Sequence, residues 1–184
     1  MNKIGTKEIE GSTFLLVKDN LEDNLRTFKL GMRTKEICEK ATWVYFDTED
    51  SLIKAYDPHD DFVDRDDTFS WVIKDKETNA IIGSIGVHTI NENNNWCEVG
   101  YNLNPYYWNK GIMTEALGLV IKYLLIDADF NRIACKCVAD NHGSYKVMEK
   151  NNMIREGIER QSKYIDGKYK DKYCYSIIKS EYNS

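Results

Sequence analysis

The chain predicts an α/β fold in which one sheet carries helices on its faces. Three observations point there: turn-separated apolar segments rich in β-branched and aromatic residues in the front half, a helix-periodic stretch after Gly111, and a closing succession of strand, helix and hairpin. With 184 residues, 42% hydrophobic and 30% charged, and only two prolines, the composition is that of one globular domain, residues 1–184. A chain of this length buries roughly two thirds of the surface its unfolded form exposes. A packed core therefore needs neither disulfides nor metal.

In order along the chain, TFLLVK (Thr13 to Lys18) reads as the first strand, and residues 20–40 read as polar surface helices. Periodicity is poor over residues 42–67, where DPHDDFVDRDD places six aspartates in eleven residues. That run lacks the central glycine and closing glutamate of a calcium loop, so an acidic loop without metal is expected. FSWVIKD and AIIGSIGVHTI, parted by Lys76, Glu77, Thr78 and Asn79, form a hairpin. After the turn NENNN comes WCEVGYNL, where Cys97, Val99, Tyr101 and Leu103 alternate with Trp96, Glu98, Gly100 and Asn102. This strand puts a carboxylate and a glycine on one side. The stretch IMTEALGLVIKYLLIDADF repeats apolar residues at Met113, Ala116, Leu117, Val120, Ile121, Leu124 and Leu125, the spacing of an amphipathic helix. RIACKCVAD is the next strand and NHGSYKVMEKNN a short helix. Two apolar-alternating strands then meet at the turn Asp166-Gly167.

Composition excludes several function classes. No apolar run approaches the roughly 18 residues of a membrane span, and the start MNKIGTKEIEGSTF lacks the apolar stretch of a signal peptide. A cytoplasmic protein away from membranes is expected. Five cysteines without framework spacing fit a reducing compartment; Cys135 and Cys137, on one face of a strand, read as core rather than as metal ligands or an acyl relay. A net charge of −5 argues against nucleic acid as a partner. The charge is uneven: residues 1–95 hold 12 Lys/Arg against 19 Asp/Glu, whereas residues 96–184 hold 13 against 11. An acidic half beside a basic one suits a cationic substrate meeting an anionic cofactor, and it also suits ordinary solvated surface.

Strand WCEVGYNL, loop NPYYWNK and the helix from Gly111 form one unit. A helix that opens directly after a strand points unpaired N–H groups and the positive end of its dipole over that strand's end. Gly111 lets backbone approach phosphate oxygens, and Lys110 adds charge at the rim. The P-loop and the dinucleotide fingerprint are absent, which disfavours a nucleotide switch and leaves an anion site and a plain helix cap both open.

The run EVGYNLNPYYWNKGIMTEAL, followed by NRIACKCVADNHGSYKVMEKNNMIREGIERQ and DGKYKDKYCYSIIKSEY, resembles the GNAT acetyltransferases of the RimJ/RimL type, as does the opening IGTKEIEGSTFLLVK. The resemblance implies a mixed, mostly antiparallel twisted sheet flanked by helices, with central strands splayed into a cleft for CoA. It also implies acetyl transfer from acetyl-CoA to an amine, with residues 96–184 as the CoA-binding half and residues 1–95 as the acceptor side. The loop from Trp108 through Asn109, Lys110, Gly111, Ile112 and Met113 to Thr114 would cradle the pyrophosphate. Val99, Gly100, Tyr101 and Leu103 would hydrogen-bond the pantetheine arm. Asn141 and Ser144 match the family's NxxS, with Ser144 near the CoA sulfur as acid, and Lys146 and Lys150 are candidate phosphate partners. Met113 stands where relatives often have a small residue, and Asn152 replaces a helix-ending glycine, a position at which Asn is the next best residue.

Glu98 is the expected general base, on the strand beside the thioester; pairing with a neighbouring cation is its structural alternative. Some relatives carry a glutamate shortly before the Asp-Gly turn, where this chain has Lys163, which leaves open a catalytically silent acyl-CoA-binding domain. His88 and His142 are secondary candidates for base. No metal is expected. The acceptor is expected to be cationic, such as a protein N-terminus, a polyamine or an amino-sugar-like molecule; the resemblance is to a family that often forms dimers, so a homodimer and a monomer are both open.

Overall fold

The structure, a computed structural model, describes residues 1–29, 46–55 and 69–182. The expected helix beyond Lys29, the aspartate run 57–67 and Cys38 lie outside the described residues. Strands β1 (Ile9–Glu10), β2 (Phe14–Lys18), β3 (Ser70–Asp75), β4 (Ile81–Asn91), β5 (Trp96–Leu103), β6 (Arg132–Val138), β7 (Ile154–Ile165) and β8 (Lys168–Ile178) form one sheet, ordered β1-β2-β3-β4-β5-β6-β8-β7. The β5–β6 pair is parallel; β1–β2, β2–β3, β3–β4, β6–β8 and β7–β8 are antiparallel. Helices α1 (Leu21–Lys29), α2 (Glu49–Ala55), α3 (Ile112–Lys122), α4 (His142–Lys150) and α5 (Lys179–Tyr182) complete the described elements, with a 3-10 turn at Pro105–Tyr107 and a π-helical turn at Tyr123–Asp127. No helix among the described residues is long and apolar enough to cross a membrane.

The described residues gather into two compact units. One takes Lys3–Gly86 and Tyr101–Ile112; the other takes Met1–Asn2, Val87–Gly100 and Met113–Ser184. In the first, Phe14 and Leu16 of β2 and Trp71 and Ile73 of β3 are fully buried, with Leu52 and Phe69. The expected hairpin forms: Val72 pairs with Ser84, and the turn closes as Asp75 accepts from the Thr78 N–H and hydroxyl at 2.8 Å each. Asn79 takes φ 55° there, a left-handed position Asn tolerates. Asn20 accepts from the Asp23 N–H at 2.8 Å, so the start of α1 is capped by its own sequence. Close packing also fixes Gly11, where a Cβ would stand 2.5 Å from the Phe14 ring.

In the second unit, all seven helix-periodic residues of the stretch after Gly111 are buried, and the π-helical turn carries Leu124 and Leu125 inward. Phe130, Ile133, Cys135, Tyr175 and Ile177 complete this core. Asp166 (φ 51°) and Gly167 (φ 75°) turn β7 into β8, the geometry of a tight hairpin. The expected apolar alternation of β7 is not realised. It is the last strand of the sheet, and only its final residue, Ile165, is buried; Ile154 and Ile158 are exposed.

Asn152 ends α4 at φ 58°: its N–H reaches the Glu149 carbonyl at 3.0 Å, and the Met153 N–H reaches the Met148 carbonyl at 3.1 Å. Two such bonds, five-to-two and six-to-one, are the Schellman closure. Because left-handed backbone costs a Cβ-bearing residue about 1–2 kcal/mol, Asn152→Ala should lower unfolding stability by about 1 kcal/mol and Asn152→Gly should change it by less than about 0.5 kcal/mol. Urea midpoints decide it; an alanine variant as stable as the parent would show that the turn needs no special residue.

Candidate active site

The loop leading into α3 is built by short-range bonds. Asn104 accepts from the Tyr106 N–H at 3.0 Å and opens the Pro105–Tyr107 turn. The Trp108 indole N–H donates to the Leu103 carbonyl at 2.7 Å, so the side chain folds back on the end of β5 while more than half exposed. Asn109 (φ 59°) and Gly111 (φ 80°) take left-handed backbone on either side of Lys110, whose ammonium lies 5.1 Å from the centre of the Tyr107 ring. Nothing stands within 4 Å of where a Gly111 Cβ would be. Glycine is therefore demanded by its dihedral angle, and open space lies beside it. Ile112 and Met113 are buried, which anchors the first turn of α3. The first-turn N–H groups of such a helix have no intrahelical partner.

Asn151, which the sequence did not single out, holds that first turn from the other side. Its amide donates to the Thr114 carbonyl at 3.0 Å and to the Val147 carbonyl at 2.9 Å. A Cβ on Gly118 would stand 2.8 Å from its oxygen, so α3 and the end of α4 meet where only glycine fits without a shift. The signal was present as an Asn beside the Asn152 cap, but only the fold shows which carbonyls it reaches.

Strand β5 pairs with β6 over three residues only: Trp96 with Arg132, Cys97 with Ile133, and Glu98 with Ala134. β6 continues to Val138, and past the ladder the Val99 N–H reaches the Cys135 sulfur. Glu98 is thus the last paired residue before the strands part. Val99 is buried; Gly100, Tyr101 and Leu103 are half-buried beyond it.

Glu98 does not stand alone. Its Oε2 lies 3.5 Å from the Lys136 ammonium and its Oε1 lies 3.6 Å from His88 Nε2. Lys136 is held more closely by Glu159, at 2.8 Å, and Glu159 also holds Lys172 at 2.9 Å. The two lysines keep the Glu159 carboxyl down at about 2, and the bond to Glu159 in turn raises Lys136. Burial pushes the His88 imidazolium down; Glu98 works against that, while Lys136 and Lys172 add to it. Glu98 therefore has the cation pairing anticipated as its structural alternative, at distances longer than hydrogen bonds. Lys136, Glu159 and Lys172 were missed in the sequence because they meet only through the strand order, although the alternation of Cys135, Lys136 and Cys137 marks Lys136 as facing away from the core.

Asn141 caps α4, its side chain accepting from the Ser144 N–H at 3.1 Å. The half-buried Ser144 hydroxyl hydrogen-bonds Cys137, whose thiol burial pushes up to about 11. Cys135 is likewise buried with its thiol well raised, so both cysteines are core thiols, and no metal-holding cluster occurs among the described residues. Lys146 pairs with Glu149 at 2.7 Å, Lys150 is exposed on α4, and His142 is exposed in its first turn.

The model of the acetyltransferase (GNAT) domain matches residues 23–154. The chain belongs to the GNAT acetyltransferase family. Among GNAT relatives it is 33% identical over 114 residues to the uncharacterized N-acetyltransferase p20 of Bacillus licheniformis, covering 62% of this chain and 63% of that one. It is 31% identical over 98 residues to the ribosomal-protein-serine acetyltransferase of Escherichia coli, covering 53% and 55%. The chain thus spans between half and two thirds of the length of these relatives. The GNAT fold is shared with the spermidine N-acetyltransferase of Vibrio cholerae, solved in complex with CoA and spermine: TM-score 0.81, 20% identity, 95% of this chain and 100% of that chain. The parting of β5 from β6 and the RimJ/RimL resemblance agree with this membership.

Glu159 titrates lower in the fold than in the unfolded chain, so the stability it contributes is full above its ordinary 4.5 and is lost as pH falls towards about 2. Glu159→Gln should flatten the loss of stability across that window in urea unfolding series. Equal slopes for variant and parent would mean that the lysine pairs do not couple to folding.

Proposed function

We propose that the chain is an acetyl-CoA-dependent N-acetyltransferase acting by direct attack of a primary amine in a ternary complex. The observation that carries this is Glu98 at the fork of β5 and β6, in a chain whose family is acetyl-transferring. Acetyl-CoA, as second substrate, supplies an activated acetyl thioester. The residues available to hold it fit: Gly111 has a left-handed angle with open space beside it, and the first-turn amides of α3 and Lys110 offer positive charge to a pyrophosphate. Backbone of Val99, Gly100, Tyr101 and Leu103 would receive the pantetheine arm, with Asn141, Lys146 and Lys150 as further contacts.

An ammonium must lose a proton before it can attack, and Glu98 takes it directly or through a water. The Ser144 hydroxyl, both donor and acceptor, can give a hydrogen bond to a departing thiolate while remaining bonded to a Cys137 that burial keeps protonated. Positioning of the two substrates is worth roughly 7–11 kcal/mol, so these side chains assist rather than dominate. Four described cysteines, all free thiols, suit a reducing cytoplasm. The acceptor class is a cationic amine, either a protein N-terminus or a polyamine. Relatives acting on a ribosomal protein and on spermidine support this class, as does the acidic balance of residues 1–95.

The test is acetyl-CoA turnover over a panel of peptide N-termini and polyamines, with CoA binding followed by calorimetry. Glu98→Gln should lower kcat by about 10²- to 10⁴-fold with CoA affinity retained, and Gly111→Val should weaken CoA binding. Undiminished kcat in Glu98→Gln removes Glu98 as base. CoA binding without turnover of any amine favours the silent binding domain instead.

A further inference from the structure

Two proton acceptors face each other across β4 and β5. Nδ1 of His88 lies 3.1 Å from Thr89 Oγ1, and Nε2 lies 3.6 Å from Glu98 Oε1. The tautomer that lets Nδ1–H donate to Thr89 turns the lone pair of Nε2 towards the carboxylate. At 3.6 Å the pair is too far apart for a direct hydrogen bond and spaced for one bridging water. The Glu98 side chain is 15% exposed, whereas His88 is 42% exposed, so the imidazole is the more open of the two to solvent.

Among the described residues, the two lysines beside this pair are already engaged. Lys136 on β6 is already an ammonium, and its bond to Glu159 holds it so; Lys172 on β8 is likewise paired with Glu159. Burial pushes the His88 imidazolium down and both cations add to that, against the pull of Glu98, which favours the neutral ring as the proton acceptor.

We propose that His88 is the proton carrier of the site, acting through Glu98. The N–H bond of the acceptor ammonium breaks as an O–H bond forms on Glu98; that O–H bond then breaks as the proton passes through a bridging water to Nε2, giving an imidazolium beside a carboxylate. The ring then releases a proton to water, and both groups return to their starting state. No oxidant, metal or further reactant enters. The assignment rests on the acetyltransferase reading, and it makes His88 a positioning residue rather than one that touches substrate.

The experiment uses the full chain with acetyl-CoA and whichever amine the parent turns over best. In His88→Gln, kcat should fall by on the order of 10²-fold, the low end for general acid–base assistance, while CoA affinity by calorimetry is unchanged. Added imidazole should restore turnover in proportion to its concentration. In a second measurement, the His88 ring is titrated by NMR in the parent and in Glu98→Gln; loss of the carboxylate that favours the imidazolium should move its pKa further down. Parent-like turnover in His88→Gln overturns the carrier alone. A His88 titration that ignores Glu98→Gln does the same even if His88→Gln does not fold. A folded, CoA-binding parent that acetylates no amine overturns the acetyltransferase reading and the carrier with it.

Discussion

A β-strand that leaves its neighbour must find other partners for its backbone, and β5 leaves β6 after three paired residues. Much of the candidate site follows from that departure. Parallel strands cannot be joined by a tight turn, so the chain must cross over through a helix before β6 can begin. That crossover is α3, and its first turn opens directly after the loop that ends β5. The left-handed angles at Asn109 and Gly111 redirect the chain within four residues of Trp108, and Asn151 pins the turn that results. The short parallel pair, the loop after it and the crossover helix are therefore parts of one backbone constraint.

The charges at the fork obey a second constraint. A half-buried carboxylate with a cation in full contact stays ionised but loses basicity; one with no cation nearby gains a proton too readily. At Glu98 the cation stands back, because Lys136 is drawn closer to Glu159 than to it. Glu159 is itself fixed by two lysines, so the cation nearest Glu98 is held at a set distance rather than free to collapse onto it. A carboxylate on the last strand of the sheet thus bears on one three strands away.

What was legible in the sequence, and what was not, divides along range. The β3–β4 hairpin, the buried face of α3, the Asp166-Gly167 turn and the left-handed Asn152 all rest on residues within a few positions of one another, and each appears where periodicity or turn chemistry placed it. Glu98 was legible as a carboxylate sharing a face with Gly100. Its partners were not: Lys136, Glu159 and Lys172 lie on β6, β7 and β8, and β8 inserts between β6 and β7 in the sheet order. The exposure of β7 was hidden for the same reason, since an alternating pattern promises a buried face only when something lies across it. Asn151 is an intermediate case, adjacent to a legible cap but tied to a carbonyl 37 residues away.

The two ends of the sheet have a consequence for how the chain behaves in a crowd. An open edge is a row of unmatched donors and acceptors, and another chain can extend it. Here one edge, β1, is two residues long. The other, β7, is long but shifts register between Arg155 and Gly157 and again between Glu159 and Lys163, where Gln161 turns to φ 51°. Its outward residues include Arg155, Glu156 and Arg160, so an incoming strand meets charge as well as interruption. Such edges are poor templates, and the eight strands among the described residues, with apolar residues exposed along the last one, are thereby guarded against growing by another.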